Sequence, residues 1–395
     1  MKEMITGYVN RVFKLILRFK CTDFKYFVSD IGIYFFLKGG CKMRNILKKA
    51  AFGMISAAIA LSALGCGGSK QESGSSGDKI NIRIASSSPT VEFEGDGTTS
   101  LGISTNYFIK EIQKRSNGRI TAQVYPAGQI ASSTQEYISG LQNGAFDIGI
   151  LNCGSWADYT PAFAGLNIPY LYFDYDTVYA VLDSDIGKSW LERAGKDTKT
   201  IPLAYFDIGF RELTANVPVH SPADLQGVKI RTMPDPIQMK CWEALGASVT
   251  PVAYSELYTA LQQKMVDAQE NPPSNIAASK IYELQKYLIL THHNFTATIP
   301  AASPVFWNKL SDADKKLIKD VMIEAQNKGR AQTKPLADKF IKQIATKSEV
   351  ITLNREELTQ FQEKAKSVWP MIEETMGKTE FNKLIDFVKN YKPKK

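Results

Sequence analysis

The chain has 395 residues, with 48 Lys and Arg against 40 Asp and Glu, three His and five Cys. All of the positive excess lies in residues 1–65, which hold 11 basic and 3 acidic residues; the remainder carries 37 of each sign. A neutral body has no electrostatic footprint for a phosphate backbone, so the basic total does not point to a nucleic-acid partner.

Residues 1–42 contain apolar runs, VFKLILRF and FFL, that are short and broken by charge. A membrane-associated segment is one reading of these runs, the weaker one because a spanning helix needs about 20 consecutive apolar residues. From Met43 the pattern changes. Arg44, Lys48 and Lys49 precede an apolar segment from Ala50 to Leu64, and Leu64-Gly65-Cys66 follows. This is the three-part form of a secretory signal, and its end resembles the lipobox before a lipidated cysteine. The expectation is a signal over 43–65, lipidation at Cys66 and a Gly/Ser-rich tether over 66–79 that holds the body at a membrane surface. Translation is then expected to start at Met43, with 1–42 an upstream extension of the reading frame.

The body begins at Ile80. Strand and helix patterns alternate: a strand at Ile80–Ala85, a helix at Leu101–Arg115 stopped by Asn117-Gly118, and a strand at Ile120–Tyr125. A helix at Ser133–Leu141 and a strand at Phe146–Leu151 complete the series. After an aromatic, loop-rich stretch at Tyr159–Tyr175 the pattern restarts. Strands are predicted at Ile201–Phe206, Val228–Arg231, Val249–Val252 and Met265–Glu270, with helices at Ile237–Leu245 and Ser255–Gln263. From about Ser311 the chain reads as charged amphipathic helices. Continuous apolar strands alternating with helices imply buried parallel strands in an α/β architecture. About 316 residues is long for one core and suits two lobes, with a ligand cleft at the strand ends.

Two arginines sit where such a cleft would form, Arg211 in DIGFR and Arg231 in GVKIR. A guanidinium is a fixed charge with a planar fork and grips a carboxylate through two parallel hydrogen bonds. Asn271, before Pro272-Pro273, offers an amide that both donates and accepts. Taken singly, each has a plain structural reading as a surface ion pair or a turn residue. Upstream, Glu94 and Asp96 lie in an acidic Gly-containing loop without calcium-loop spacing; a surface insertion is the plainer reading, contact with a ligand hydroxyl or amine the other. No cofactor or metal is expected, because the Gly/Ser run falls in the tether and no Cys/His spacing suits a metal. Cys153 and Cys241 have two readings, one disulfide or two free thiols, of which free thiols is the plainer.

The motifs GFREL, SPADLQGVKIRT and LGASVTPVAYSELYTALQQKMVDAQENP, in this order, with NGRITAQVYPAGQIA and LQNGAFDIGI upstream, resemble the solute-binding subunits of TRAP transporters, the DctP-type family. The resemblance runs from about Ile80 to the C-terminus. It implies a two-lobed periplasmic-binding-protein-like α/β fold (type II-like) with an interlobe cleft and long helices linking the lobes. Lobe I is expected over 80–205 plus about 298–340, and lobe II over 206–297 plus about 341–395. It also implies capture of a small carboxylate and delivery to a membrane permease. The carboxylate-gripping arginine falls on Arg231, an assisting arginine on Arg211, the asparagine on Asn271 and a packing aromatic on Tyr254. In the first lobe, Asn152 and Ser86 or Ser87 are expected to face the cleft. Trp156, in NCGSW, departs from the family pattern and reads either as a stacking partner for the ligand or as core.

Rival readings are a binding lipoprotein of an ATP-driven importer, a ligand sensor, and a hydrolytic enzyme. The enzyme reading is weakest. The histidines are His220, in a turn, and the adjacent pair His292 and His293, and no G-x-S-x-G elbow is present. The residues do not name the acid or choose between monomer and dimer. Peptide mapping of the precursor should give Met43 as the first residue; a peptide spanning Lys42 and Met43 would contradict this.

Overall fold

The computed structural model describes residues 78–392, together with the backbone of β1 (Phe24–Ser29) and β2 (Gly32–Leu37). These two strands pair antiparallel and belong to a unit separate from the body, which runs from Ser76 to the C-terminus. The signal segment 43–65, Cys66 and nearly all of the tether lie outside the described residues.

The body starts with β3 (Ile80–Ser86), α1 (Ser100–Arg115), β4 (Ile120–Tyr125), α2 (Thr134–Asn143) and β5 (Ile148–Asn152). β3 lies between β4 and β5 and is parallel to both. Thr99 and Ser133 cap α1 and α2 by accepting from the Gly102 and Glu136 amides, and Gly144 ends α2 in the left-handed conformation. Helices α3 (Tyr175–Asp183) and α4 (Asp185–Thr198) follow.

The second set of parallel strands is β8 (Lys229–Thr232), β9 (Ser248–Pro251) and β10 (Ala268–Asn271), with β8 in the middle. Helices α5 (Pro236–Leu245), α6 (Leu257–Gln262) and α7 (Pro273–Ala278) connect and flank them. Both sets of strands end at the same cleft, as the alternation implies.

Two long strands that the hydropathy pattern does not reveal join the sets. The stretch 201–206 is not one strand: β6 is only Ile201–Pro202, because Pro202 has no amide to donate, and Phe206 opens β7 (Phe206–Ala215). β11 (Tyr287–Ala302) is wholly additional. It pairs antiparallel with β7 through most of its length and with β5 over Thr298–Ala302. β11 thus borders the first set at β5, and β7 borders the second at β10, with which it pairs antiparallel. The result is one mixed, ten-stranded sheet order, not two separate parallel sheets. A bulge at His292, with φ of 46°, interrupts the pattern that would mark β11 as a strand.

The C-terminal part contains α8 (Pro304–Trp307), α9 (Asp312–Ile344), β12 (Glu349–Thr352), α10 (Arg355–Ala365), α11 (Trp369–Met376) and α12 (Lys378–Asn390). At 33 residues, α9 is about 50 Å long. It packs on α1, which follows β3, and on α7, which follows β10, and so spans both sets of parallel strands. Cys153 and Cys241 are buried free thiols. Among the described residues, no helix is long and apolar enough to cross a membrane.

The α1–α9 contact is close at Gly329. A Cβ there would overlap the Ser104 hydroxyl and come within 2.8 Å of the Ser100 carbonyl. Gly329→Ala should therefore cost about 1–3 kcal/mol and lower the Tm by several degrees in a thermal melt. An unchanged melt would mean that the helices separate freely at this point.

Candidate ligand-binding site

A cavity of about 220 Å³ opens where β3, β5, β8 and β10 end. Ser86, Ser87 and Asn152 line it from the first set of strands, and Arg231, Tyr254 and Asn271 from the second. Six of the residues singled out in the sequence therefore share one wall system. Arg211 and Trp156 do not line it.

Arg231 is 1% exposed. Its Nε donates to the Val252 carbonyl at 2.8 Å, and no described group bonds its two terminal amino groups. Burial pushes its pKa down to about 10, against the opposing pull of the Glu270 charge. The guanidinium is thus still charged at neutral pH. It is a buried cation without a carboxylate of its own, which is costly unless an anion arrives.

Arg211 is equally buried but fully engaged. Its Nε and Nη2 fork onto the Glu270 carboxylate, with Nη2 at 2.9 Å from Oε1. Nη2 also donates to the Glu270 carbonyl at 2.6 Å and to Asn271 Oδ1 at 3.1 Å, and Nη1 to Thr296 Oγ1 at 3.1 Å. His293 Nε2 lies 3.0 Å from the same carboxylate. Burial alone would raise the Glu270 carboxyl, but Arg211 and His293 outweigh it and hold it at about 2. The expected ligand contact from Arg211 is not what the structure places here: Arg211 lies within β7 and is consumed by Glu270. Its link to the cavity is Asn271, whose amide it fixes together with Gln269, 2.6 Å from Asn271 Nδ2.

Trp156 takes the core side of its two readings. It is 0% exposed, with its ring edge-on to Phe163 at 5.6 Å, and its neighbour Ser155 reaches the cavity instead. Asn152 caps the turn after β5 by accepting from the Gly154 amide at 2.9 Å. Tyr254 Oη shares a hydrogen bond with Ser279 Oγ at 2.7 Å, and burial pushes the phenol up to about 12.

Sequence reasoning missed several wall residues, among them Ser88, Tyr137, Asn275 and Thr298. Tyr137 is on the buried face of α2 and Thr298 on β11, so their facing depends on packing that pattern alone does not give. In the acidic loop, Glu94 and Asp96 are exposed, and Asp96 pairs with Lys110 on the surface. The buried acid of that loop is Glu92, 2% exposed.

The family model for bacterial extracellular solute-binding proteins, family 7 (DctP), matches residues 94–375. The chain belongs to the DctP family of TRAP-type solute-binding proteins. It is 30% identical over 259 residues to the 2,3-diketo-L-gulonate-binding periplasmic protein of Escherichia coli, covering 65% of this chain and 76% of that one. The structure superposes on the sugar acid binding protein of Advenella mimigardefordensis in complex with galactonate, with a TM-score of 0.74 and 26% identity, covering 79% of this chain and 98% of that one. It also superposes on a TRAP periplasmic solute-binding protein of Sulfurospirillum deleyianum with bound succinate, with a TM-score of 0.72 and 25% identity, covering 78% and 98%. The two-lobed fold of this DctP protein follows from these likenesses, and its family is one of exported solute-binding proteins, not of enzymes.

The Arg211–Glu270 pair generates a prediction. Glu270→Gln leaves Arg211 buried without its counter-charge and should cost about 3–5 kcal/mol in urea unfolding. An ordinary Glu in the unfolded chain protonates near pH 4.3, and the folded carboxyl only near 2. The pair's contribution is therefore fully present above the unfolded value and lost as pH falls through the folded one. Glu270→Gln should remove that acid-side loss; a variant with wild-type stability and acid dependence would show the pair to be neutral.

Proposed function

We propose that this protein captures a small organic acid in its interlobe cavity, grips the carboxylate with Arg231 and delivers it to a TRAP membrane permease. The observation that carries this is the charge state of the cavity. Arg231 is buried, charged and free at both terminal amino groups, while Glu270, the acid that acts on it most, is already spent on Arg211. A carboxylate meets that vacancy with two parallel charge-assisted hydrogen bonds. The free acid is well hydrated, so a closed, low-dielectric cleft must supply contacts that replace its water.

Asn271 serves beside Arg231 as a fixed polar group, held by Arg211 and Gln269. Tyr254 covers the ligand from the second lobe; Asn152, Ser86 and Ser87 meet it from the first. Contacts in both lobes give the ligand its preference for the closed form, which the permease then recognises. The leader fits this role: lipidation at Cys66 would hold the body near the permease on the outer face of the membrane.

A panel of small carboxylates tested by thermal shift should reveal at least one that stabilises the protein. A ligand at a hundred times its Kd adds about 2.7 kcal/mol. Arg231→Ala should weaken that acid by tens- to thousands-fold, about 2–5 kcal/mol. Wild-type affinity in Arg231→Ala would overturn the assignment.

A further inference from the structure

The carboxylate reading leaves the rest of the ligand open, and the remaining polar groups of the cavity bear on it. Arg231 is the one cationic side chain on the wall among the described residues. Half of the lining residues carry hydroxyls, including Ser86, Ser87, Ser88 and Thr298. Two buried polar atoms beside this wall have no hydrogen-bond partner among the described residues. One is the hydroxyl of Tyr137, which lines the cavity. The other is Oε1 of Glu92.

Glu92 lies in the turn Thr90–Phe93, just before α1. Its Oε2 accepts from the Thr99 hydroxyl at 3.0 Å, and that hydroxyl also caps α1, so the carboxylate is fixed in place. Glu92 does not itself line the cavity; its carboxylate is approached through the hydroxyl of Ser88, a wall residue that interacts with it as the Ser87 hydroxyl does with Tyr137. Tyr254, on the opposite wall, senses both charges: Glu92 raises the pKa of its phenol and Arg231 lowers it. A buried acceptor with spare capacity beside a binding cavity can take a donor from the ligand, and a second carboxylate offers none. It would also find no cation and would face the Glu92 charge.

Resting on the carboxylate reading above, we infer that the cavity selects a polyhydroxylated monocarboxylate over a dicarboxylate, with Glu92 and Tyr137 bonding hydroxyls on the part of the ligand that Arg231 does not hold. Glu92 is then a specificity-determining residue contributed by the acidic loop, whereas the charge that fixes the carboxylate comes from the second lobe.

The test is calorimetric titration of the purified protein with D-galactonate, D-gluconate, D-erythronate, succinate and glutarate. The buffer is kept above the raised Glu92 pKa of about 7, so that the carboxylate is ionised. At least one aldonate should bind about tenfold or more tightly than either dicarboxylate, the discrimination of one hydrogen bond to a charged group. Glu92→Gln keeps an oxygen for Thr99 and should narrow that ratio, weakening the aldonate and sparing or improving the dicarboxylates. Tyr137→Phe removes only the open hydroxyl and should weaken the aldonate severalfold with the dicarboxylates unchanged. Equal or tighter binding of a dicarboxylate by the wild type, a ratio that survives both substitutions, or no binding of any aldonate would overturn the inference. If a dicarboxylate binds and Arg231→Ala abolishes it, the carboxylate reading stands and only the selectivity falls. If acids bind and Arg231→Ala changes nothing, both fall.

Discussion

The buried ion pair of Arg211 and Glu270 is the constraint on which the site depends. Two arginines and one glutamate are buried together, and the glutamate cannot neutralise both. Its bidentate bond to Arg211, with His293 on the same carboxylate, decides which arginine is left over. Arg231 then keeps a full charge and two free amino groups at the cavity wall. Had Glu270 turned to Arg231, the cavity would contain a neutral pair and no reason to bind an anion.

The same pair couples the site to the sheet. Arg211 is in β7, Glu270 and Asn271 are in β10, and Thr296 and His293 are in β11, so the hydrogen bonds of one guanidinium tie three adjacent strands. β7 and β11 are also the strands that join the two sets of parallel strands. The fixed end of the cavity is thus anchored to the strands that join the two parallel sets, while the facing serines and Glu92 come from β3 and the loop after it. A ligand that touches both sides bridges parts of the chain held together chiefly by β7, β11 and α9.

Much of this was legible in the residues. The short parallel strands and their helices follow from hydropathy period and from stop signals such as Asn117-Gly118, and the positions of Ser86, Asn152, Arg231 and Asn271 at strand ends place them at the cleft. Three things were not legible, each for a physical reason. The role of Arg211 depends on Glu270, 59 positions later, and no local pattern says which arginine a distant acid will choose. β11 is broken by the His292 bulge and by polar residues that are nevertheless buried, so its strand period is lost. In the acidic loop, only the tight turn at Thr90–Phe93 separates the buried Glu92 from the exposed Glu94.

The most direct measurement is a crystal structure of the protein grown with a bound acid, D-galactonate being the first to try. The account requires the carboxylate to sit on the two free amino groups of Arg231, with Arg211 still paired to Glu270. A carboxylate held elsewhere, with the Arg231 amino groups satisfied by protein atoms, would contradict it.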